Sequence, residues 1–140
     1  MAGRDKGVYV LEIELQLPLH ILGRELSRGV YLYVGRAMNG LSVRLGRYMR
    51  PITKPHWHVD WLLMAGRLLG VASALTNDPE MEHKLACLLA SSHEYVPRFG
   101  SSDDDCPSHL FRGGMDNAVN AMRTLGLEPR VYRELQGRQE

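Results

Sequence analysis

Cysteine, lysine and phenylalanine are all scarce in this sequence. There are two cysteines (Cys87 and Cys106), two phenylalanines, and three lysines against fourteen arginines. Two cysteines cannot build a disulfide framework. No apolar run approaches the roughly 20 residues that a membrane-spanning helix needs. The first residues, Met-Ala-Gly-Arg-Asp-Lys, lead into no apolar stretch with a cleavage site, so no signal peptide is expected. Repeats and low-complexity stretches are missing too, and so is any excess of charge: seventeen Lys+Arg and sixteen Asp+Glu give +1. These absences exclude a stapled secreted scaffold, a helical membrane span, a collagen-like chain and a charged disordered tail. What remains is a chain of 140 residues, 44% hydrophobic and 24% charged, suited to one globular domain around a single core. The expected compartment is the cytoplasm, where two thiols stay buried or free rather than bridged.

The pattern along the chain predicts an α/β (α+β) domain with a small central mixed or antiparallel sheet flanked by helices. From Gly7 to Leu17 the residues alternate, with Tyr9, Leu11, Ile13, Leu15 and Leu17 on one face and Glu12, Glu14 and Gln16 on the other. That is a half-buried strand, closed by Pro18. Residues 19–29 read as turns around a short strand or irregular stretch. Gly29–Gly35, β-branched and aromatic, is a second strand. Asn39-Gly40 opens a helix from Leu41 to about Arg50, with Leu41, Leu45 and Tyr48 inward. His56–Met64 is a short helix, Val71–Leu75 a third strand, and Asp78-Pro79 the start of a helix reaching about Ser92. A polar loop over 97–109 holds the run Asp103–Asp105. Gly113-Gly114 precede a last amphipathic helix, and Arg130–Leu135 a last strand.

The near-zero net charge hides an uneven distribution. Residues 24–67 carry eight basic side chains and two acidic ones, a local +6, while the rest holds nine basic and fourteen acidic, −5. A basic segment interleaved with Tyr31, Tyr33, Tyr48 and Trp57 has the composition of a phosphate-binding surface; a solvated helix face is the plainer alternative. On the helix after Pro79, Glu82 has Leu85, Ala86 and Leu89 at helical spacing. It therefore projects from the edge of the buried stripe and needs a donor, an arginine or a metal ion as partner. Glu80 falls on the opposite face, within reach of Lys84.

Gly7-Val8-Tyr9, followed by Tyr33-Val34-Gly35 and a helix carrying Arg44 and Tyr48, resembles the two-part motif of the GIY-YIG nuclease superfamily. The run Tyr33-Val-Gly-Arg-Ala-Met-Asn39 is similar to the excision-repair incision nucleases, with Arg36 in place of their Lys and one extra residue at Gly40. Three further stretches resemble a mostly archaeal branch that is sometimes fused to endonuclease-III-like proteins. These are Gly29–Gly35, His56-Trp-His-Val-Asp60 with Trp61-Leu-Leu63, and Phe99–Asp103 leading to Ser108-His-Leu-Phe111. The resemblance spans residues 7–111. It implies a GIY-YIG-like nuclease domain over 1–112, with 113–140 a helix/strand extension packed on the same domain. The activity it implies is hydrolysis of phosphodiester bonds in DNA, in repair or processing. Glu82 would ligate Mg²⁺ (or Mn²⁺), Arg44 would stabilise the transition state, Tyr9 or Tyr33 would orient or deprotonate the attacking water, and Tyr48 would help to place the phosphate. Arg36, Arg47, His56, His58 and His109 would contact substrate.

Two departures bear on this reading. Residues 18–29 separate the halves of the motif, so whether Tyr9 and Tyr33 face each other stays open. Where this branch has several cysteines, Ser101 and Asp104 stand here and only Cys106 remains, which argues against zinc there. Two other functions compete: a nucleic-acid-binding module with a relic site, and a zinc protein using His56, His58 and His109, with His56-x-His58-x-Asp60 at ligand spacing. The implied partners are DNA and a repair protein, with no membrane; monomer and homodimer both stay open.

Overall fold

A computed structural model of the chain describes residues 5–100 and 106–133. The strands are β1 (Gly7–Leu15), β2 (Leu19–Ile21), β3 (Arg24–Leu26), β4 (Gly29–Ala37), β5 (Arg67–Leu75), β6 (Leu110–Arg112) and β7 (Arg130–Arg133). The helices are α1 (Leu41–Tyr48), α2 (His58–Ala65), α3 (Met81–Ala90) and α4 (Met115–Thr124). Five strands form one sheet in the order β6-β4-β1-β5-β7, and every neighbouring pair is antiparallel. The expected small sheet flanked by helices is therefore antiparallel throughout. β2 and β3 form a separate hairpin that turns through Leu22 (φ 51°) and Gly23 (φ 78°).

β1 alternates as its sequence predicts, but it is buried on both faces rather than half-buried. Tyr9, Leu11, Ile13 and Leu15 point to one core with Leu41, Leu45 and Tyr48 of α1, Val59 and Leu62 of α2, and Ile21 and Leu26 of the hairpin. Val8 and Val10 point to a second core with Leu85, Ala86 and Leu89 of α3 and Ala118, Ala121 and Met122 of α4. The sheet is thus the middle of three layers, and the central strand has no solvent side. Burial also reaches Glu12, expected on the wet face but only 6% exposed. Its Oε2 accepts the Met115 N–H at 2.9 Å, at the positive end of α4, and its Oε1 lies 3.1 Å from Arg133. Leu17, placed on the buried face by the alternation, is 76% exposed because β1 ends at Leu15.

Other differences have local causes. The stretch at 19–29 is a true hairpin, and β5 begins at Arg67 rather than Val71. β6 is only three residues long, too short for any periodicity, and exists because Tyr31–Tyr33 offers it a ladder. α3 starts at Met81 rather than at Pro79. Asp78 accepts the Glu80 N–H at 2.9 Å, and Lys84 pairs with Asp78 at 2.6 Å instead of with Glu80. Ser101, the run Asp103–Asp105 and the end of the last strand at Leu135 lie outside the described residues. Cys87 and Cys106, expected to stay unbridged, form a disulfide with their Cα atoms 5.2 Å apart. α3 and the approach to β6 pack on the same side of the sheet, which brings the two together.

Replacing Glu12 by alanine leaves a buried helix-terminal N–H without its acceptor. Glu12→Ala is expected to lower the unfolding free energy by about 2 kcal/mol, and Arg133→Ala, removing a half-exposed partner, by under about 1 kcal/mol. Urea denaturation of both variants measures the difference.

Candidate active site

Strand register decides how the tyrosines meet. In the β1–β4 ladder Tyr9 lies opposite Gly35 and Leu11 opposite Tyr33, so Tyr9 and Tyr33 are diagonal neighbours on one face. Gly35 is required there: a Cβ at this position would overlap the phenol end of Tyr9. The question left by the 18–29 insertion is answered by geometry, because the hairpin loops out and leaves the β1–β4 register intact.

β6 covers β4 only along Tyr31–Tyr33. Beyond it, at Gly35 and Arg36, an open cleft of about 570 Å³ is lined by Tyr9, Tyr33, Arg36, Arg44, Tyr48, Trp57, Glu82 and His109, together with Pro79, Glu80, His83 and Gly100. Residues from β1, β4, α1 and α3 thus share one concave surface.

The tyrosines and Arg44 are linked by hydrogen bonds. The Tyr9 and Tyr48 hydroxyls lie 2.9 Å apart. Arg44 Nη1 donates to the Tyr9 hydroxyl at 3.4 Å and to the Arg36 carbonyl at 3.1 Å. Burial pushes the pKa of Tyr9 and Tyr33 well above that of an ordinary phenol, and that of Tyr48 upward as well. All three are therefore protonated hydrogen-bonding groups near neutral pH. Burial works against the Arg44 cation, but Tyr9 and Tyr48 outweigh it and raise its pKa.

Glu82 enters from the first turn of α3, its side chain 20% exposed. Its Oε1 lies 3.6 Å from Arg36 Nε and its Oε2 lies 3.4 Å from His109 Nδ1. His109 is itself buried and sits against the Val34 carbonyl at 3.3 Å.

Three expected contact residues lie elsewhere. Arg47 donates both Nη groups to Asp60, each at 2.7 Å, and does not line the cleft. His56 is exposed just before α2 and His58 is exposed at its first position, His56 edge-on to Trp57 and His58 edge-on to Phe99. Among the described residues, His56, His58 and His109 do not gather into a ligand set; the group that does is His83, Cys87 and Cys106. The Asp60 carboxylate, placed by spacing beside the two histidines, is committed to Arg47 and to the N–H groups of His56 (2.6 Å) and Trp57 (2.9 Å).

The model of the family described as "Domain of unknown function DUF123" matches residues 8–134. The chain belongs to that family. No curated protein and no solved structure matches it. The match runs from β1 to the last described strand and so includes every residue that lines the cleft.

In this family member the supports of the cleft are less legible than its lining. Trp57 carries two guanidiniums over its ring, Arg44 at 4.6 Å and Arg47 at 4.5 Å from the ring centre. Asp60 fixes Arg47, Arg47 and Arg44 both stack on Trp57, and Arg44 faces the cleft. Asp60 is a positioning residue that metal-ligand spacing misreads. The signal for it is helical: an acidic residue at the third position of α2 that accepts the N-cap N–H is half of a capping box.

Burial pushes the Asp60 pKa up, but Arg47 and the two backbone N–H groups outweigh it and hold the carboxyl below the ordinary 3.8. A depressed carboxyl contributes stability that is present above the unfolded-state pKa and is lost as pH falls through the folded one. Asp60→Asn is expected to cost about 3 kcal/mol at pH 7. The gap to wild type should narrow below pH 3.8, measured by thermal or urea unfolding across the acid range.

Proposed function

We propose that this chain is a divalent-metal-dependent endonuclease of the GIY-YIG type that hydrolyses phosphodiester bonds in DNA, in repair or processing. The observation that carries the reading is the convergence on one open cleft of Tyr9, Tyr33, Arg44, Tyr48 and Glu82, five positions drawn from residues 9 to 82 and from four different elements. A catalyst for this reaction must neutralise phosphate charge, place an in-line water and assist the leaving oxygen. A buried structural cluster would need no open approach and no carboxylate facing solvent.

The donor set fits Mg²⁺ or Mn²⁺. One partly exposed carboxylate, Glu82, faces a wide cleft edged by oxygen-bearing side chains. Such a site suits a hard cation that keeps most of its waters and completes its shell with substrate phosphate. When bound there, the cation supplies charge neutralisation and a more acidic water.

The chain's own groups do the rest. Arg44, pinned over Trp57 and against the Arg36 carbonyl, presents a fixed cation to the scissile phosphate. The protonated hydroxyls of Tyr33 and Tyr9 orient the water or a phosphate oxygen and do not act as unaided bases. Tyr48 holds Tyr9 in place through the 2.9 Å hydroxyl contact. Arg36, half-exposed beside Glu82, brings a second cation to the cleft, while His109 stays buried between the Val34 carbonyl and the other oxygen of the carboxylate.

The pairing of Glu82 with Arg36 and His109 also favours a second reading, a nucleic-acid-binding module whose carboxylate is internally neutralised. A plasmid-nicking and duplex-cleavage assay with Mg²⁺ and Mn²⁺, run beside a binding titration, separates the two. Glu82→Gln is expected to abolish divalent-dependent cleavage and leave DNA affinity within about threefold, since one neutralised carboxylate removes no phosphate contact. Arg44→Ala is expected to slow cleavage by about 10²–10³-fold and to reduce the salt dependence of binding by about one ion. Binding without turnover on nicked, branched or damaged duplex overturns the enzyme reading.

A further inference from the structure

Behind the cleft, on the side of α3 that faces the second core, a different set of groups comes together. His83 follows Glu82 and reaches the cleft wall, and Cys87 lies one helical turn further along α3. Cys106, only 3% exposed, comes from the segment before β6. Cys87 Sγ lies 3.7 Å from His83 Nε2, and Cys106 Sγ lies 3.6 Å from His83 Nδ1. The ligand atoms of all three residues fall within 4.8 Å of one another. A tetrahedral zinc with bonds of about 2.3 Å to sulfur and about 2.0 Å to nitrogen puts N and S ligands roughly 3.5 Å apart. A zinc takes only one of the two ring nitrogens, and each sulfur here contacts a different one, so the imidazole must turn as the sulfurs part.

We propose that His83, Cys87 and Cys106 form a binding site for Zn²⁺ in the reduced protein, and that the disulfide of this structure is its closed, metal-free form. The inference is independent of the nuclease reading, and Cys106, too little for zinc within its own segment, gains two further ligands from α3. Two thiolates and one imidazole are a borderline-soft set that selects zinc over Mg²⁺, so the site does not duplicate Glu82. Opening it requires a phosphine or dithiol reductant. The reductant gives up two electrons, the S–S bond breaks, and each sulfur gains a proton. Zinc then displaces both thiol protons and takes one neutral imidazole nitrogen, with water in the fourth position. Either form ties the approach to β6 to α3, the helix that carries Glu82, so the cleft wall keeps a cross-link in both states.

The test uses the full chain, reduced with a phosphine, desalted without oxygen and titrated with Co²⁺ and then Zn²⁺. Reduced wild type is expected to take up one equivalent of Co²⁺ with a thiolate-to-metal charge-transfer band that Zn²⁺ bleaches, and the disulfide form none. Cys87→Ser should lose the band. His83→Gln should still close the disulfide, seen as no titratable thiol after oxidation, and bind Co²⁺ at least about tenfold more weakly. Because His83→Gln keeps the cross-link, it remains a folded reporter if Cys87→Ser does not fold. Failure of reduced wild type to bind a stoichiometric metal overturns the proposal. So does a band unchanged in Cys87→Ser, or an affinity unchanged in His83→Gln.

Discussion

The buried carboxylate of Asp60 is the constraint on which the cleft's geometry rests. It accepts four hydrogen bonds: two from Arg47 and one each from the N–H groups of His56 and Trp57. A buried charge is tolerable only when its lone pairs are filled in this way. Filling them fixes the entry of α2 and the guanidinium of α1 at once. Trp57 then has two cations over its ring, and one of them is Arg44. A long, flexible arginine would lose considerable side-chain entropy on being ordered by substrate alone; here the fold has already ordered it. Electrostatic preorganisation of this kind is what makes a fixed cation more useful than a mobile one.

The sheet supplies the other half of the placement. β1 and β4 share a nine-residue register, and the short β6 leaves one end of β4 open. Side chains from α1 on one face and α3 on the other therefore reach around the same strand end. That is why Tyr9 and Tyr48, members of one core, share a surface with Glu82, whose helix packs on the other. Charge follows the same division. Of the basic residues between 24 and 67, Arg47 is committed to Asp60, and Arg24 to the carbonyls of Leu22, Pro97 and Arg98. The positive segment is thus partly structural, and its local +6 overstates what reaches a ligand.

How much of this was legible depended on whether a residue's role is local. The alternation of β1, the inward stripe Leu41, Leu45 and Tyr48 of α1, and the edge position of Glu82 on α3 all follow from periodicity, and the structure has them so. Roles set by distant partners were not legible. Glu12 reads as a solvent-facing strand residue until α4 and Arg133 arrive to cover it. Arg47 reads as a phosphate contact until α2 brings Asp60 against it. Cys87 and Cys106 read as independent thiols until α3 and the approach to β6 pack on one side of the sheet. Within the cleft, the structure brings Tyr9, Tyr33, Arg44, Tyr48 and Glu82 together as expected; of their supports, Asp60 shows locally only as half of a capping box, and its tie to Arg47 and that of Trp57 to Arg44 appear only as contacts across elements.

The central position of β1 sets how this cleft can fluctuate. Tyr9 sits on the strand with partners on both edges and a packed core on both faces. Amides in such a strand exchange with solvent only when the whole cooperative unit opens. The hydroxyl that Arg44 leans on is therefore tied to global unfolding rather than to fraying of an edge or a loop. Glu82 stands outside the sheet on α3, but Leu85, Ala86 and Leu89 of that helix are buried in the second core and Cys87 cross-links it to the approach to β6. The floor of the cleft therefore keeps its shape for as long as the sheet itself persists.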